Sequence, residues 1–355
     1  MALLDQVDPS GLDEFSVVFT DRSLNHMSKS FQQVMTDISG MLKEVYKADA
    51  VVLVPGGGTY GMEAVARQFG QDASVLVVRN GWFSYRWSQI FDAGRFGGET
   101  TVMKARQTGN SAQAPFAPAP IDEVTARIRE VKPDVVFAPH VETSAGIILP
   151  DAYVTALAEA AHEVGALMVL DCIASGCAWV DMGATGVDVL ISAPQKGWSA
   201  TPSAGLVMLS ERAVQRMEGT ASNSFAVDLK KWHQIMTAYE NGGHAYHATM
   251  PTDGLRAFRD TMIETRDYGF DRLREAQWAR TRLPSSCAVA AAASSSSSGL
   301  FLLRRYGASS SAATWSSVPE RVYSFDRGER VCGSWLSLYG NEARGVLWKC
   351  LLRAT

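Results

Sequence analysis

The chain has 355 residues, a formal net charge of -4, 46% hydrophobic residues and 20% charged residues. That is the balance of a globular protein with a large core and room for more than one domain, and its mild acidity excludes a basic surface for nucleic acid. No apolar run reaches membrane-spanning length, the acidic start MALLDQVDPSGLDEFSVVF lacks the basic and long apolar regions of a signal peptide, and cysteines at 172, 177, 287, 332 and 350 form no CxxC pair and no even disulfide framework, so a cytoplasmic protein is expected.

The first expected element is a helix over about 25–47, where Phe31, Val34, Met35, Ile38, Met41, Leu42 and Val45 recur at helical spacing. A buried strand AVVLV (50–54) follows, then Pro-Gly-Gly-Gly-Thr and a helix through about Phe69. Next come strand SVLVV (74–78), a helix over about 82–91, and a weaker strand ETTVM (99–103). Helix 121–131 leads to strand DVVFA (134–138), and helix 151–164 to strand LMVLD (167–171). Strands DVLIS (188–192) and GLVML (205–209) close the alternation. Beyond about residue 220 lies an irregular stretch with Tyr246, His247 and Pro251, then a helix over about 253–278.

Continuously apolar strands alternating with helices predict an α/β fold: a mostly parallel sheet with helices on both faces. The expected division is an N-terminal arm (1–20), a large domain (21–255) and a C-terminal domain (256–355). From Arg280 the composition changes to an alanine run, five consecutive serines (294–298) and a second Ser/Ala cluster, with basic residues outnumbering acidic ones. This end reads either as a loosely built domain with a linker or as an altered, out-of-frame sequence, atypical or disordered from about 280.

In an open α/β sheet, ligands sit beyond the carboxyl ends of the strands. After the first strand stand Gly56, Gly57, Gly58, Thr59, Tyr60 and Gly61, entering a helix. Glycines let the backbone approach an anion, and a helix N-terminus offers free N–H groups, so this is a phosphate cradle, with an ordinary glycine-rich turn as the plain alternative. The pattern also matches G-x-G-x-x-G, but the next strand ends Val78-Arg79-Asn80, without the acid a ribose needs. NAD is disfavoured and NADP only weakly allowed.

Trp82 and Phe83, after the second strand, are core residues or a stacking surface for a planar ligand. His140 and Glu142 suggest a metal pair, but no third ligand is near, so no metal is expected. Thr143 and Ser144 offer hydroxyl donors. Asp171 ends a buried strand, where a carboxylate is costly unless a cation or donor meets it; a helix cap is the plain alternative.

The next strand runs into Lys196, in the small-residue loop SAPQKGW. An acid and a lysine ending adjacent strands, together with a phosphate cradle, fit one cofactor, pyridoxal 5'-phosphate. Its ring nitrogen needs an acidic partner, its aldehyde a lysine amine, and its phosphate a cradle. Lys196 and Asp171 are the candidate catalytic residues.

In order and wording these segments resemble class V aminotransferases, a fold type I family, and within it the alanine–glyoxylate / serine–pyruvate branch. GGGTYGMEA resembles its phosphate loop, which implies phosphate contacts from Gly57, Gly58 and Thr59. NGWFSYRWSQI is similar to its Asn-Gly-x-aromatic-x-x-Arg segment and implies that Phe83 stacks on the ring, with Trp82 a competitor. HVETSAG implies Thr143 near the ring oxygen, LDCIASG implies Asp171 on the ring nitrogen with Ile173 beneath the ring, and SAPQKGW implies Gln195 at the phosphate and Lys196 as the Schiff-base lysine. YHATMP implies that Tyr246 and Thr249 reach the phosphate of the other subunit's cofactor, hence a homodimer with shared sites, and SLNHMSKSF puts Asn25 and His26 at the mouth as substrate contacts.

The resemblance covers about residues 20 to 270. It implies amino transfer from a small amino acid (alanine or serine) to a 2-oxo acid (glyoxylate or pyruvate). A lyase or desulfurase of the same class is the alternative, as is a cofactor-binding chain with impaired catalysis. The family's C-terminal R-x-G-x-x-G stretch, whose arginine binds the substrate carboxylate, has no counterpart after Arg280: ARGVLWKC around Arg344 is a poor match, and the alternative is that Arg304, Arg305 or Arg344 folds into the clamp position.

Overall fold

The computed structural model describes residues 24–110 and 114–280. The N-terminal arm, the serine run and the tail arginines fall outside them. Helix α1 (Lys29–Tyr46) begins where the Ser28 hydroxyl accepts the Phe31 N–H and ends at Lys47 in the left-handed region, φ 56°. Then come β1 (Ala50–Pro55), α2 (Gly58–Phe69), β2 (Val75–Arg79), α3 (Tyr85–Gly94) and β3 (Thr100–Lys104). The short strands β4 (Arg106–Gln107) and β5 (Phe116–Ala117) pair with each other, followed by α4 (Ile121–Val131) and β6 (Val135–Pro139). A small hairpin, β7 (Val141–Glu142) with β8 (Ile147–Ile148), precedes α5 (Asp151–Glu163), β9 (Leu167–Asp171), α6 (Met182–Thr185), β10 (Val189–Ser192) and β11 (Ala204–Leu209). Helices α7 (Glu211–Glu218), α8 (Leu229–Glu240), α9 (Thr252–Tyr268) and α10 (Phe270–Arg280) complete the described chain.

Seven strands form the main sheet in the order β1-β11-β10-β9-β6-β2-β3. All point one way except β11, which pairs antiparallel with both β1 and β10. Every residue of β6, β9, β10 and β11 is buried. Successive strand side chains point to opposite faces, so both faces of the sheet are covered, as the unbroken apolar runs predict. Edge strand β3, the weaker pattern in the sequence, is exposed or half-buried along its length.

Two close approaches set the site's frame. A side-chain carbon on Gly205 of β11 would lie 2.6 Å from the backbone nitrogen of Gly61 in α2, so only glycine lets α2 lie flush against the sheet. At the far end of the strands the buried Asp188 carboxylate accepts the Met168 N–H at 2.8 Å and the Ser210 hydroxyl at 3.1 Å, and meets His162 Nε2 at 2.9 Å. One carboxylate thus ties together the starts of β9 and β10 and the end of β11.

Three expectations need correction. The helix expected over 253–278 is broken at Gly269, whose φ of 106° ends α9 and starts α10 in a new direction. Helix α3 starts at Tyr85 rather than 82, because the Ser84 hydroxyl accepts the Asn80 and Gly81 N–H groups and holds a turn. The stretch after residue 220 contains a full helix, α8, capped by the Asp228 carboxylate on the Lys231 N–H and burying Leu229, Trp232, Ile235, Met236 and Tyr239.

Candidate active site

The parallel strands deliver their carboxyl ends to one edge of the sheet, where the expected residues assemble. Gly57 precedes α2 in an extended conformation and supplies no side-chain cap, so the first N–H groups of α2 face outward without a side-chain acceptor. A side-chain carbon on Gly57 would meet nothing within 4 Å, whereas one on Gly58 would strike Ile173 at 2.6 Å. Ile173 therefore packs directly behind the cradle. Thr59 is exposed at its rim, and its hydroxyl accepts a hydrogen bond from Arg86 Nη1 at 3.2 Å.

Asp171 ends β9 and is 8% exposed. Burial pushes its carboxyl up to about 6, against the pull of the Ile173 N–H (2.9 Å) and the Arg86 charge. No helix begins after Asp171, so the helix-cap alternative does not hold; the carboxylate closes only a tight turn onto Ile173. Lys196 lies in the turn after β10 and is half-buried. Burial, then the Arg86 charge, hold its amine below the usual lysine range, while Asp171 draws it up. A desolvated lysine near a second cation is an activated nucleophile. Beside it, Gln195 Oε1 is buried with no hydrogen-bond partner.

Phe83 is placed by a carboxylate rather than by packing alone. Glu142, fully buried at the end of β7, accepts the N–H of Phe83 (3.2 Å), the N–H and hydroxyl of Ser84 (2.8 and 2.7 Å), and the N–H and hydroxyl of Ser144 (3.2 and 2.6 Å). It clamps the 81–84 turn onto the 143–146 turn that carries half-buried Thr143. Trp82 is 63% exposed, whereas Phe83 is half-buried with the Arg86 guanidinium 5.5 Å from its ring centre. Glu142→Ala leaves several buried donors without a partner, each costing about 1–3 kcal/mol. Urea unfolding should show a loss of about 3 kcal/mol or more, and a loss below about 1 kcal/mol would mean that the clamp is not formed.

The other half of the suspected metal pair faces elsewhere. His140 Nδ1 lies 2.7 Å from the Ser175 hydroxyl, and burial lowers its imidazole to about 4, so it is neutral. Arg86, to which the sequence reading gives no role, acts on Thr59, Phe83, Asp171 and Lys196 together. Its signal was one helical turn from Phe83 in the same segment.

The remaining site candidates form a second group. The His26 ring lies 5.6 Å from the Tyr246 ring and 6.3 Å from that of His244. Tyr246 is 65% exposed and Thr249 is exposed. Asn25 is buried, and its side-chain oxygen accepts the Met27 N–H at 2.8 Å in the turn that opens α1.

A family model described as aminotransferase class-V matches residues 14–282. The chain is 30% identical over 269 residues to a 2-aminoethylphosphonate–pyruvate transaminase of Burkholderia mallei (strain SAVP1), covering 73% of this chain and 65% of that protein. It is 24% identical over 266 residues to alanine–glyoxylate aminotransferase 1 of Saccharomyces cerevisiae, covering 70% and 66%. The chain thus spans just under two thirds of the length of these relatives.

Among solved structures, the alanine–glyoxylate aminotransferase of Nostoc sp. aligns with a TM-score of 0.62 at 22% identity, over 72% of this chain and 65% of that one. The pyridoxamine–pyruvate aminotransferase of Mesorhizobium loti aligns with a TM-score of 0.62 at 17% identity, over 76% and 65%. The fold is that of the fold type I enzymes, and β1 at the sheet edge beside an antiparallel strand is not the dinucleotide-binding order, which removes the NADP alternative. With a match across residues 14–282 and a 30% identical relative, the chain belongs to the class V aminotransferase family.

Proposed function

We propose that this chain binds pyridoxal 5'-phosphate and moves an amino group from a small amino acid, alanine or serine, to a 2-oxo acid, glyoxylate or pyruvate. The observation that carries the reading is the pairing of Asp171 and Lys196 at the ends of adjacent parallel strands, each acting on the other's charge, beside an uncapped helix N-terminus. The residues fit the cofactor: an open cradle at Gly57, an orphaned buried Gln195 oxygen, and a buried acid with no cation bonded to it. When bound, the cofactor supplies an electron sink for the pair released at the substrate Cα.

Gly57, Gly58, Thr59 and Gln195 hold its phosphate. Phe83 and Ile173 pack against its ring, Thr143 reaches the ring oxygen, and Asp171 keeps the ring nitrogen protonated. Lys196 is the amine that would hold the aldehyde and, once free, would carry the proton removed from the substrate Cα. Asn25 and His26 stand at the mouth. Exposed Tyr246 and Thr249 reach the phosphate in a second copy, so the working unit is a homodimer; their exposure supports this.

The relatives' printed names, alanine–glyoxylate and 2-aminoethylphosphonate–pyruvate, support small 2-oxo acids as acceptors. A desulfurase needs a reactive thiol, and burial pushes Cys172 well up, away from thiolate. Cys172 is a free thiol, which supports the cytoplasm; among the described residues no helix is long and apolar enough to cross a membrane.

Added cofactor should give the purified chain a visible absorption band that L-alanine bleaches and glyoxylate restores. A chain that takes up no cofactor would overturn this reading. A specific observation also favours impaired turnover: the family match ends at residue 282, where the composition changes. Without an arginine for the substrate carboxylate, a loss of about 2–5 kcal/mol follows, roughly two orders of magnitude or more in rate. Kinetics on this chain and on one carrying a family-like C-terminus test it, and equal rates would mean that the tail is a working domain.

A further inference from the structure

We infer that Gln277 of α10 is a positioning residue that sets Lys196 and Asp171 relative to each other; the inference rests on the cofactor-binding reading above. Gln277 is 5% exposed, and its side chain is spent on one turn. Its Nε2 donates to the Ser175 carbonyl at 3.0 Å, and its Oε1 accepts the Cys177 N–H at 2.6 Å. A primary amide presents a donor and an acceptor side by side, so it pairs with this backbone as a strand edge would.

Between those two contacts lies Gly176, φ 61°. A side-chain carbon on Gly176 would stand 2.6 Å from Gln277 Oε1, and one on Gly197 would stand 2.2 Å from the Gly176 carbonyl oxygen. The turn is therefore sandwiched, with Gln277 on one side and the neighbour of Lys196 on the other. Cys177 Sγ adds a weak bond to the Gly197 carbonyl at 3.5 Å.

A second arm runs from the same turn to the acid. The Ser175 hydroxyl meets His140 Nδ1 at 2.7 Å, and the His140 N–H donates to the Asp171 carbonyl at 2.8 Å. Helix α10 is itself seated by Trp278, which packs against the small cluster of Val141, Ile148 and Ala178. Both reactive groups thus lean on a residue about a hundred positions away in sequence.

The test uses the full chain, with Gln277→Leu, which keeps the shape and removes both hydrogen bonds, and Gln277→Glu, which keeps only the acceptor for Cys177. Pyridoxal 5'-phosphate affinity is measured by titration, and the pH midpoint of the bound cofactor's absorption by spectroscopy. Gln277→Leu should bind the cofactor about tenfold more weakly and move the midpoint by about 0.5 unit or more, with unchanged far-UV circular dichroism; Gln277→Glu should fall between. If Gln277→Leu does not fold, Gln277→Glu is read on the same two measures. Wild-type affinity and midpoint in the folded variants overturn this inference alone, whereas a wild-type chain that binds no cofactor overturns the cofactor reading and this one with it.

Discussion

Lys196→Ala is expected to lower transamination by about 10⁴-fold, the upper range for a positioned proton carrier, while leaving the fold intact. The lysine sits half-buried in the turn between β10 and β11, outside the sheet's strand pairing. On the proposed function, its loss would remove both the covalent hold on the cofactor and the amine that moves the Cα proton. Its lowered pKa, from burial and the nearby Arg86, leaves more of the amine neutral near pH 7, the form that attacks an aldehyde. Borohydride reduction of the wild-type complex should fix the cofactor on the peptide that contains Lys196 and leave Lys196→Ala unlabelled. A label on another lysine, with the variant still labelled, would end the assignment.

Asp171→Asn should cost about 10²–10³ in turnover, the usual scale for losing one preorganised electrostatic group, and yet stabilise the cofactor-free protein. The Asp171 carboxyl is raised by burial from 3.8 to about 6. Because the folded value is the higher one, the unfolded chain ionises first as pH rises. Stability from this group is therefore fully present below about pH 4 and lost by the time pH has risen through about 6. The gap corresponds to about 3 kcal/mol. The stability difference between Asp171→Asn and wild type, measured without cofactor, should grow in the variant's favour by up to that amount from pH 4 to 7. A difference that stays flat with pH would mean that the carboxylate is not desolvated. A protonated ring nitrogen beside Asp171 would remove the penalty, so the acid is destabilising until the cofactor arrives.

Six strands of the main sheet were legible because burial writes unbroken apolar runs, while the edge strand β3, exposed or half-buried, left only a weaker pattern. Helix α8 was also written in the sequence, with Asp228 as cap and Leu229, Trp232, Met236 and Tyr239 at helical spacing, but the irregular stretch with Tyr246, His247 and Pro251 just after it masked the pattern. Asp171, Lys196 and the glycine cradle stood out as candidates because each lies at or after the carboxyl end of a strand. The clamp at Glu142 was not legible, because its type and spacing say only that a carboxylate is there; its five donors come from two turns, one of them about sixty positions away. Gln277 had no local signal at all. A polar residue on a helix looks like a solvated one until the fold brings a turn from 102 positions away onto its amide.

The antiparallel β11 has a consequence for how the reactive lysine is held. The Lys196 segment is closed at both ends by paired strands of the main sheet, from Ser192 opposite Leu206. β11 also carries the whole of β1, from Ala50 opposite Leu209 to Pro55 opposite Ala204. Loosening the root of that segment therefore means unzipping a strand from the middle of the sheet. Its amides at the strand ends are expected in the slowest class of native-state hydrogen exchange, opening only with the whole molecule. The entropy of placing the lysine is spent once, when the chain folds, and not again at each turnover.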